Sequence, residues 1–274
     1  MVIQHNMASA NTNRQLGMTA NSLAKSTEKL SSGYKINRAG DNAAGLTISE
    51  KMRGQIRGLD QASTNAQDGI SLIQTAEGAL SETQSILQRM RELTVQASND
   101  TNVTADRGAI SKELTALSDE VDRIATQTQF NTMTLLSGGF TSKKLQVGAN
   151  NGQTISFSIS AMDAAALSID GIAGVVSGSS QGAITGAIST VQAALDKVST
   201  QRSALGALQN RLEHTIANAD NTSENLQAAE SRIRDVDMAK EMVKYSKDNI
   251  LQQAAQSMLS QANQSTQGVL SLLR

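Results

Sequence analysis

The fold is decided by residues 59–97, which read LDQASTNAQDGISLIQTAEGALSETQSILQRMRELTVQA. Apolar or small side chains recur there at steps of three or four residues. That spacing places them along one face of an α-helix, as in the heptad seam of a coiled coil. The helix is predicted from about Ala43 to Ser98, a length on the order of 80 Å at about 1.5 Å per residue. The seam residues are Leu59, Ala62, Ala66, Ile70, Ile73, Ala76, Leu80, Thr83, Leu87, Met90, Thr94 and Ala97.

Four further segments show the same helical spacing. The first helix is predicted from about Met7 to Leu30 and ends before Gly33, because glycine tolerates the left-handed conformation at helix ends. Asp41 or Asn42 is predicted to cap the second helix. A third seam runs through Ile110, Leu114, Leu117, Val121, Ile124 and Thr128, and a fourth runs from Ile184 to Ala219. The last helix is predicted from about Asn225 to Arg274, with Val243, Ile250, Leu251, Ala254, Met258 and Ala262 on one side.

Two features of the fourth seam leave alternatives open. The segment 220–223, Asp-Asn-Thr-Ser, either interrupts the helix or lies within it. Arg202 and Gln209 stand at seam positions where the neighbouring residues are apolar. Each is either an ordinary hydrogen-bonded position or a polar residue that fixes the register of the helix pair.

The period changes to two in the middle of the chain. Apolar residues alternate with polar ones at Leu145 and Val147 and again at Ile155, Phe157 and Ile159. Between them lies Asn151-Gly152, a favoured hairpin turn because both residue types accept positive φ. The sequence therefore predicts a β-hairpin near 144–160. Residues 160–182, rich in Ala, Gly and Ser, are predicted to form a short loop or weak local structure.

Apolar residues continue to both ends of the chain, where ordinary domains are polar and frayed. A lone amphipathic helix cannot bury its seam, so each terminal helix needs a partner. We predict a mainly α fold: a long antiparallel helical hairpin, or coiled-coil rod, with a small β-hairpin and with the termini paired as an inner coiled coil. The predicted domains are an inner domain formed by 1–42 and 226–274 and an outer helical domain formed by 43–225.

The composition argues against several classes of partner. The chain has 274 residues and a net charge of −1, with 24 basic and 25 acidic residues, so neither nucleic acid nor a membrane surface is expected as a partner. It has no Pro, Cys or Trp, which favours helix packing and excludes disulfides. No apolar run is long enough to span a membrane. Residues 1–6 lack the features of a cleavable signal, so any export is expected to use another route.

The sequence offers little for catalysis. Its two histidines are His5 and His214, and neither has a second histidine at metal-binding spacing. Asp235 and Asp237 are two apart, and on a helix such residues do not face each other. We therefore expect no enzyme activity, no metal and no cofactor.

Several motifs resemble the signatures of bacterial flagellins. At the N-terminal side these are Leu30–Asn37 (LSSGYKIN), Asp41–Gly45 (DNAAG), Asn65–Ser71 (NAQDGIS), Thr75–Leu80 (TAEGAL) and Thr126–Asn131 (TQTQFN). At the other end they are Asn249–Ala254 (NILQQA) and Val269–Arg274 (VLSLLR). The resemblance covers roughly 1–150 and 180–274, and independent motifs in the right order make chance agreement very unlikely.

The resemblance implies an extracellular structural subunit that self-assembles into the flagellar filament for swimming motility. In the family the paired terminal helices form an inner tube and the middle helices an outer tube. Only about twenty residues separate the hairpin from the next helix here, so the chain resembles a minimal flagellin without outer domains. Two alternatives remain: a hook–filament junction protein, and a secreted coiled-coil adhesin or immune ligand that does not polymerise.

The resemblance also implies partners and contact residues. Partners are further copies of the chain, an export chaperone on the C-terminal helix, and hook-junction and cap proteins. The terminal helices are expected to be poorly ordered until another subunit or the chaperone covers them. In the filament interior, residues of the N-terminal helix should pack with residues of the C-terminal one. The predicted contacts are Val2, Ile3, Leu16, Leu23 and Leu30 with Ile250, Leu251, Met258, Leu270 and Leu273.

Toll-like receptor 5 is a further partner implied by the resemblance. The family's contact segment is similar to 88–93, QRMREL, and the matched residues are Arg89, Leu93 and Glu113. Arg89 and Leu93 lie one position away from the buried seam, which predicts that they line an exposed ridge with Glu113. The same residues have two other interpretations, a contact between subunits or an internal Arg–Glu pair worth under about 1 kcal/mol.

Overall fold

The computed structural model describes residues 6–178 and 180–272, with side chains up to residue 265. Helices hold 76% of the residues, and the mainly α fold class is confirmed. The elements are α1 Met7–Ser32, α2 Ala43–Ala97, α3 Thr104–Gln127, β1 Gln129–Phe130, β2 Met133–Thr134, β3 Lys143–Gln146, β4 Thr154–Phe157, α4 Ala164–Leu167, α5 Ile172–Gly178, α6 Gln181–Arg234 and α7 Met238–Leu272.

The chain divides into two compact units. Unit 1 is formed by Met1–Gly54 with Glu224–Arg274, and unit 2 by Gln55–Ser223. The domain boundaries predicted from the sequence, at 42/43 and 225/226, stay predictions.

Unit 2 has the apolar core that the helical spacing predicted. Ile73, Leu80 and Leu87 of α2 have no exposed surface. The two threonines of the same seam, Thr83 and Thr94, are buried as well. The Thr94 hydroxyl donates a hydrogen bond to the Met90 carbonyl at 2.6 Å, which satisfies this buried polar group. From the other helices the core takes Ile110, Leu114 and Val121 of α3 and Ile184, Val191, Val198, Leu205 and Leu212 of α6.

Helices α2 and α6 run antiparallel within unit 2. Asp60 in the first third of α2 accepts a hydrogen bond from Ser223 at 2.9 Å, and Gln181 at the start of α6 donates to the Ser98 carbonyl at 3.4 Å. Between them, Arg202 donates to Gln84 at 2.6 Å, a bond between the two helices that is compatible with both interpretations of this seam position. The segment 220–223 lies within α6, which settles that alternative.

The ends of the first two helices follow their sequence signals. Gly33 ends α1 with φ +74°, and its N–H donates to the Lys29 carbonyl. Asn42 caps α2, because its Oδ1 accepts a hydrogen bond from the Gly45 N–H at 2.9 Å. The predicted start of the last helix near Asn225 was wrong: α6 continues to Arg234, and α7 begins at Met238.

The predicted β-hairpin is formed by β3 and β4, which pair antiparallel with Leu145 opposite Ile155. Its turn differs from the prediction, since of Asn151 and Gly152 only the glycine has positive φ, at +84°. The connection between the two strands spans residues 147–153 and is longer than a two-residue turn. Leu145 fits against α2 because Gly69 has no side chain: a Cβ there would lie 2.5 Å from Leu145 Cδ1.

Two small elements escaped the sequence reasoning. β1 and β2 form a second hairpin, whose two turn residues Asn131 and Thr132 have φ of +47° and +63°. Of the two alternatives for 160–182, a loop without secondary structure was wrong, because the segment contains the short helices α4 and α5. Its apolar residues at 167, 169, 172 and 176 are buried in the core of unit 2, and both short helices pack against α3. Burial against α3 outweighs the weak local propensity of this Gly-rich segment.

Candidate assembly surface

Helices α1 and α7 of unit 1 pack along each other in antiparallel orientation. Asn6 donates to the Ala262 carbonyl at 3.0 Å, and Ser22 Oγ donates to Asp248 Oδ2 at 2.6 Å. Low residue numbers on α1 thus meet high numbers on α7. The pairing of the terminal helices that the sequence predicted is confirmed.

The residues enclosed between α1 and α7 are small or polar. Thr19 and Ser26 of α1 and Asp248 of α7 are buried, whereas no large aliphatic side chain of this pair is buried among those described, which end at residue 265. Sequence reasoning overlooked this polar contact line because it searched for apolar residues. The signal was available, since Tyr245, Asp248 and Gln252 follow the three-and-four spacing of a seam.

Most of the apolar residues that the sequence placed on one side of α7 are exposed, whereas Ala262 and the neighbouring Leu259 are half-buried. We call Val243, Ile250, Leu251, Ala254 and Met258 the apolar stripe; at about 100° per residue they fall within roughly a third of the helix circumference. Val243 is 72% exposed, Ile250 66% and Met258 62%. An exposed row of large apolar side chains marks a surface that binds a partner.

The predicted assembly residues fall into two groups in a single chain. Leu16, Leu23 and Leu30 are half-buried on α1, whereas Ile250, Leu251 and Met258 are exposed on α7. One chain therefore leaves the α7 group free for contacts with other molecules. Val2, Ile3, Leu270 and Leu273 lie outside the residues whose side chains the structure describes. Packing of the two groups between copies stays a prediction.

The loop after α1 is tied to the end of α6 within unit 1. The Lys35 N–H donates to the Arg234 carbonyl at 2.6 Å, and the Val236 N–H donates to the Gly33 carbonyl at 3.0 Å. The Arg234 side chain binds Glu50 at 2.7 Å and lies 4.8 Å from the centre of the Tyr34 ring. These contacts explain the interruption between α6 and α7.

Asp235 and Asp237 flank this interruption and do not lie within a helix, contrary to the prediction. Asp237 precedes α7, where its Oδ1 accepts the Lys240 N–H at 3.2 Å. Hydrogen bonds from the backbone and side chain of Lys240 lower the pKa of Asp237. The Asp237 carboxylate therefore caps the first turn of α7.

Arg89, Glu92 and Glu113 form an ion-pair cluster on the surface of unit 2. Arg89 donates to Glu113 Oε1 from Nε at 3.0 Å and from Nη2 at 2.9 Å, and its Nη1 donates to Glu92 at 3.1 Å. The hydrogen bonds of Glu113 and then of Glu92 raise the pKa of the Arg89 guanidinium. Arg89 and Glu113 are thus brought together and remain exposed.

Leu93 does not belong to this exposed surface, so its prediction as an exposed receptor contact was wrong. It is 2% exposed and lies in the apolar core of unit 2. The buried face of α2 is wider than one heptad seam, because residues of both α3 and α6 join the same core. A side chain next to the seam is buried when two helices cover the face.

The described residues hold no group of three or more His, Cys, Asp or Glu side chains that could bind a metal. His214 is exposed on an open cleft of about 730 Å³ that Val147, Arg211 and Asn218 also line; His5 lies outside the described residues. Among the helices described, none is long and apolar enough to cross a membrane.

Comparison with known proteins places these observations in a family. Residues 3–141 match the family model described as the bacterial flagellin N-terminal helical region. Residues 188–273 match the model of the bacterial flagellin C-terminal helical region.

Relatives align along the whole chain. A flagellin of Halalkalibacterium halodurans is 57% identical over 274 residues, with 100% of both chains covered. A flagellar filament 33 kDa core protein of Treponema phagedenis is 50% identical over 286 residues, again covering 100% of both chains. A solved flagellar hook-associated protein of Vibrio parahaemolyticus shares the fold, with a TM-score of 0.59 at 13% identity over 72% of this chain and 98% of its own. Since the family models match most of its residues and its relatives align from end to end, the chain belongs to the bacterial flagellin family.

Proposed function

We propose that the chain is the structural subunit of an extracellular bacterial flagellar filament and that copies pack together through unit 1. The observation that carries this proposal is the apolar stripe of α7, which its own chain leaves exposed. Each side chain of this size contributes about 1.5–3 kcal/mol when it is fully buried. In a helical polymer every subunit repeats the contact, so a stripe of only a few residues can stabilise a long filament.

The relatives favour the filament subunit over the alternatives. Identity is 57% to a protein named flagellin and 50% to one named a flagellar filament core protein, each along its full length. The hook-associated protein is only 13% identical, which supports a shared fold and no more. An adhesin that stays monomeric would gain nothing from the exposed stripe.

Charge on the apolar stripe is expected to prevent polymerisation. Ile250→Glu combined with Met258→Glu should raise the protein concentration needed for filaments by at least about tenfold, because a buried, unpaired carboxylate is costly. Both side chains are exposed in the single chain, so the helicity of the monomer should not change. Sedimentation and electron microscopy measure assembly, and circular dichroism measures helicity.

The matched control is Gln253→Glu combined with Ser260→Glu, which adds two carboxylates to exposed positions of α7 at least about 60° around the helix from the stripe. It should polymerise nearly as the parent does. Normal filaments from the Ile250/Met258 variant would show that the stripe is not an assembly contact.

An export chaperone is proposed to cover the apolar stripe before assembly. The contact line between α1 and α7 is small and polar, so pairing these helices buries little apolar surface and offsets little of the ordering entropy. We expect amides of residues 240–265 in the free monomer to exchange with solvent at least about a hundredfold faster than amides of 73–93, which surround the core. Hydrogen exchange by mass spectrometry measures both in one molecule. Equal protection of the two segments without a partner would contradict this proposal.

Arg89 and Glu113 are proposed to contact Toll-like receptor 5 in the free monomer. Arg89 is exposed, and its planar guanidinium, which already pairs with Glu92 and Glu113, presents N–H donors that a carboxylate of the receptor can also bind. Two other interpretations, an internal surface pair and a contact between copies, remain compatible with the same geometry.

Arg89→Ala is expected to weaken binding of the monomer to the receptor ectodomain by about tenfold or more, as for an arginine at the centre of an interface. Arg123→Ala is the matched control, because Arg123 forms a similar exposed pair with Glu120 on α3. Surface plasmon resonance compares the three proteins. Equal affinity for all of them would exclude Arg89 as a contact.

A further inference from the structure

Methionine is the residue of this chain that a peroxide oxidises most readily. The chain has ten Met and no Cys or Trp, so no thiol competes for the oxidant. Oxidation converts the thioether into a sulfoxide, which turns a flexible apolar side chain into a polar one. Where such a side chain packs against another molecule, the change disrupts the contact. A methionine in a binding surface is therefore also a site at which an oxidant controls binding.

Burial divides the methionines into protected and accessible ones. Met90 and Met162 lie in the core of unit 2 and are buried. Met258 is 62% exposed and belongs to the apolar stripe, whose other four members carry no sulfur. Met242 is 49% exposed on the same helix but, at about 100° per residue, lies roughly 80° outside the stripe. The two exposed residues thus differ mainly in their relation to the proposed assembly contact.

Met258 stays accessible whether or not the terminal helices are ordered. In the structure its side chain is exposed while α7 is helical and paired with α1. In a free monomer whose terminal helices are poorly ordered, no packing contact covers it either. Met90 and Met162 are shielded in both cases, because they belong to unit 2. Only a chaperone or a second copy that covers the stripe protects Met258.

Oxygen transfer from hydrogen peroxide to Met258 balances without a further reactant. A lone pair of Sδ attacks one peroxide oxygen, and the O–O bond breaks as the S–O bond forms. The proton of the transferred oxygen passes to the departing hydroxide, which leaves as water. Sulfur is thereby oxidised by two electrons and the peroxide is reduced by two. Sulfoxide reductases, one for each epimer, reverse the change: a dithiol supplies two electrons and two protons, and the oxygen leaves as water.

We propose that Met258 is a redox-sensitive modification site, at which a peroxide weakens packing of the stripe and a sulfoxide reductase restores it. The sulfoxide oxygen would enter the contact between copies without a hydrogen-bond donor, and burying an unpaired polar group is costly. This inference rests on the proposed function, because it assigns a regulation to the same stripe. Oxidation of Met242 leaves the stripe apolar and leaves assembly intact.

Sorting of lightly oxidised chains during assembly tests the proposal on the parent protein. Full-length monomer is treated with hydrogen peroxide until most chains carry at most one sulfoxide, the peroxide is removed with catalase, and the protein is polymerised and sedimented. Peptide mass spectrometry then gives the sulfoxide fraction at each methionine in the filaments and in the supernatant. The fraction at Met258 should be at least about five times higher in the supernatant, because a buried unpaired polar group weakens each contact. The fraction at Met242 should be equal in both.

Two substitutions locate the effect. Full oxidation should raise the protein concentration that the parent needs for filaments at least about fivefold, and both reductases with a dithiol should restore it. Met258→Leu, which keeps an apolar side chain of similar size, should lose much less on oxidation, whereas Met242→Leu should lose as much as the parent. Each oxidised sample is compared with its own untreated sample, so an effect of the leucine itself cancels.

Equal sulfoxide fractions at Met258 in filaments and supernatant would overturn the proposal, as would an equal loss in Met258→Leu and the parent. Slower oxidation of Met258 than of Met90 in the monomer would also overturn it, and this readout needs no filament. An untreated parent that forms no filaments would instead contradict the proposed function, so the two failures are distinguishable.

Discussion

Removal of residues 250–274 is expected to abolish filament formation and to leave a soluble, largely helical monomer. The deletion removes Ile250, Leu251 and Met258, which are exposed in the single chain and form much of the apolar stripe. Three such contacts, each worth about 1.5–3 kcal/mol when fully buried, are lost at every subunit. Unit 2 is formed by Gln55–Ser223, which the deletion leaves intact, so the helices of unit 2 should persist.

The truncated chain is compared with the full-length chain at the same concentration and ionic strength. Electron microscopy and sedimentation should find filaments only for the full-length protein. The truncated chain should also fail to extend filament seeds of the parent, because elongation requires the same contacts as nucleation. Filaments of normal length from the truncated chain would disprove assembly through the C-terminal helix.

Leu87→Ala is expected to destabilise unit 2 by about 2–5 kcal/mol, the usual cost of truncating a fully buried leucine. Leu87 has no exposed surface and lies in the seam of α2. The substitution leaves a cavity that close-packed neighbours on α3 and α6 fill only in part. Val95→Ala is the matched control on the same helix, because Val95 is 51% exposed and its truncation should change stability by less than about 0.5 kcal/mol.

Hydrogen exchange of the core amides of α2 measures this effect for unit 2 alone. In Leu87→Ala the slowest amides should exchange at least about 30 times faster than in the parent, which corresponds to about 2 kcal/mol. In Val95→Ala their rates should stay within a factor of about two to three. Similar rates for both variants would mean that the seam does not form the stabilising core.

The sequence predicted the helices of unit 2 well because their seams are long and regular. Twelve seam positions over residues 59–97 agree on one helical face. Gly33 and Asn42 gave correct signals for a helix end and a helix start. Local chemistry decides such boundaries, so they can be predicted from a few neighbouring residues.

The candidate site was predicted less completely. Leu93 was expected to be exposed, since one seam implies one covered stripe on α2. The structure places a second helix against that face, and Leu93 is buried. Spacing along one helix shows which residues share a face, but it does not show how many neighbours cover that face.

The sequence by itself determined that this chain is helical, which residues share each apolar face, and that apolar residues persist into α7. Those properties depend on residues a few positions apart, whose relation the helix geometry fixes. Only the tertiary structure decided which face of α7 meets α1. There a buried hydrogen bond between Ser22 and Asp248, 226 residues apart in the chain, accompanies a polar contact line and leaves the apolar stripe exposed. The residues of this line recur at helical spacing, but spacing does not show which of two faces is paired, because that depends on the meeting of two helices and on the cost of burying an unpaired carboxylate.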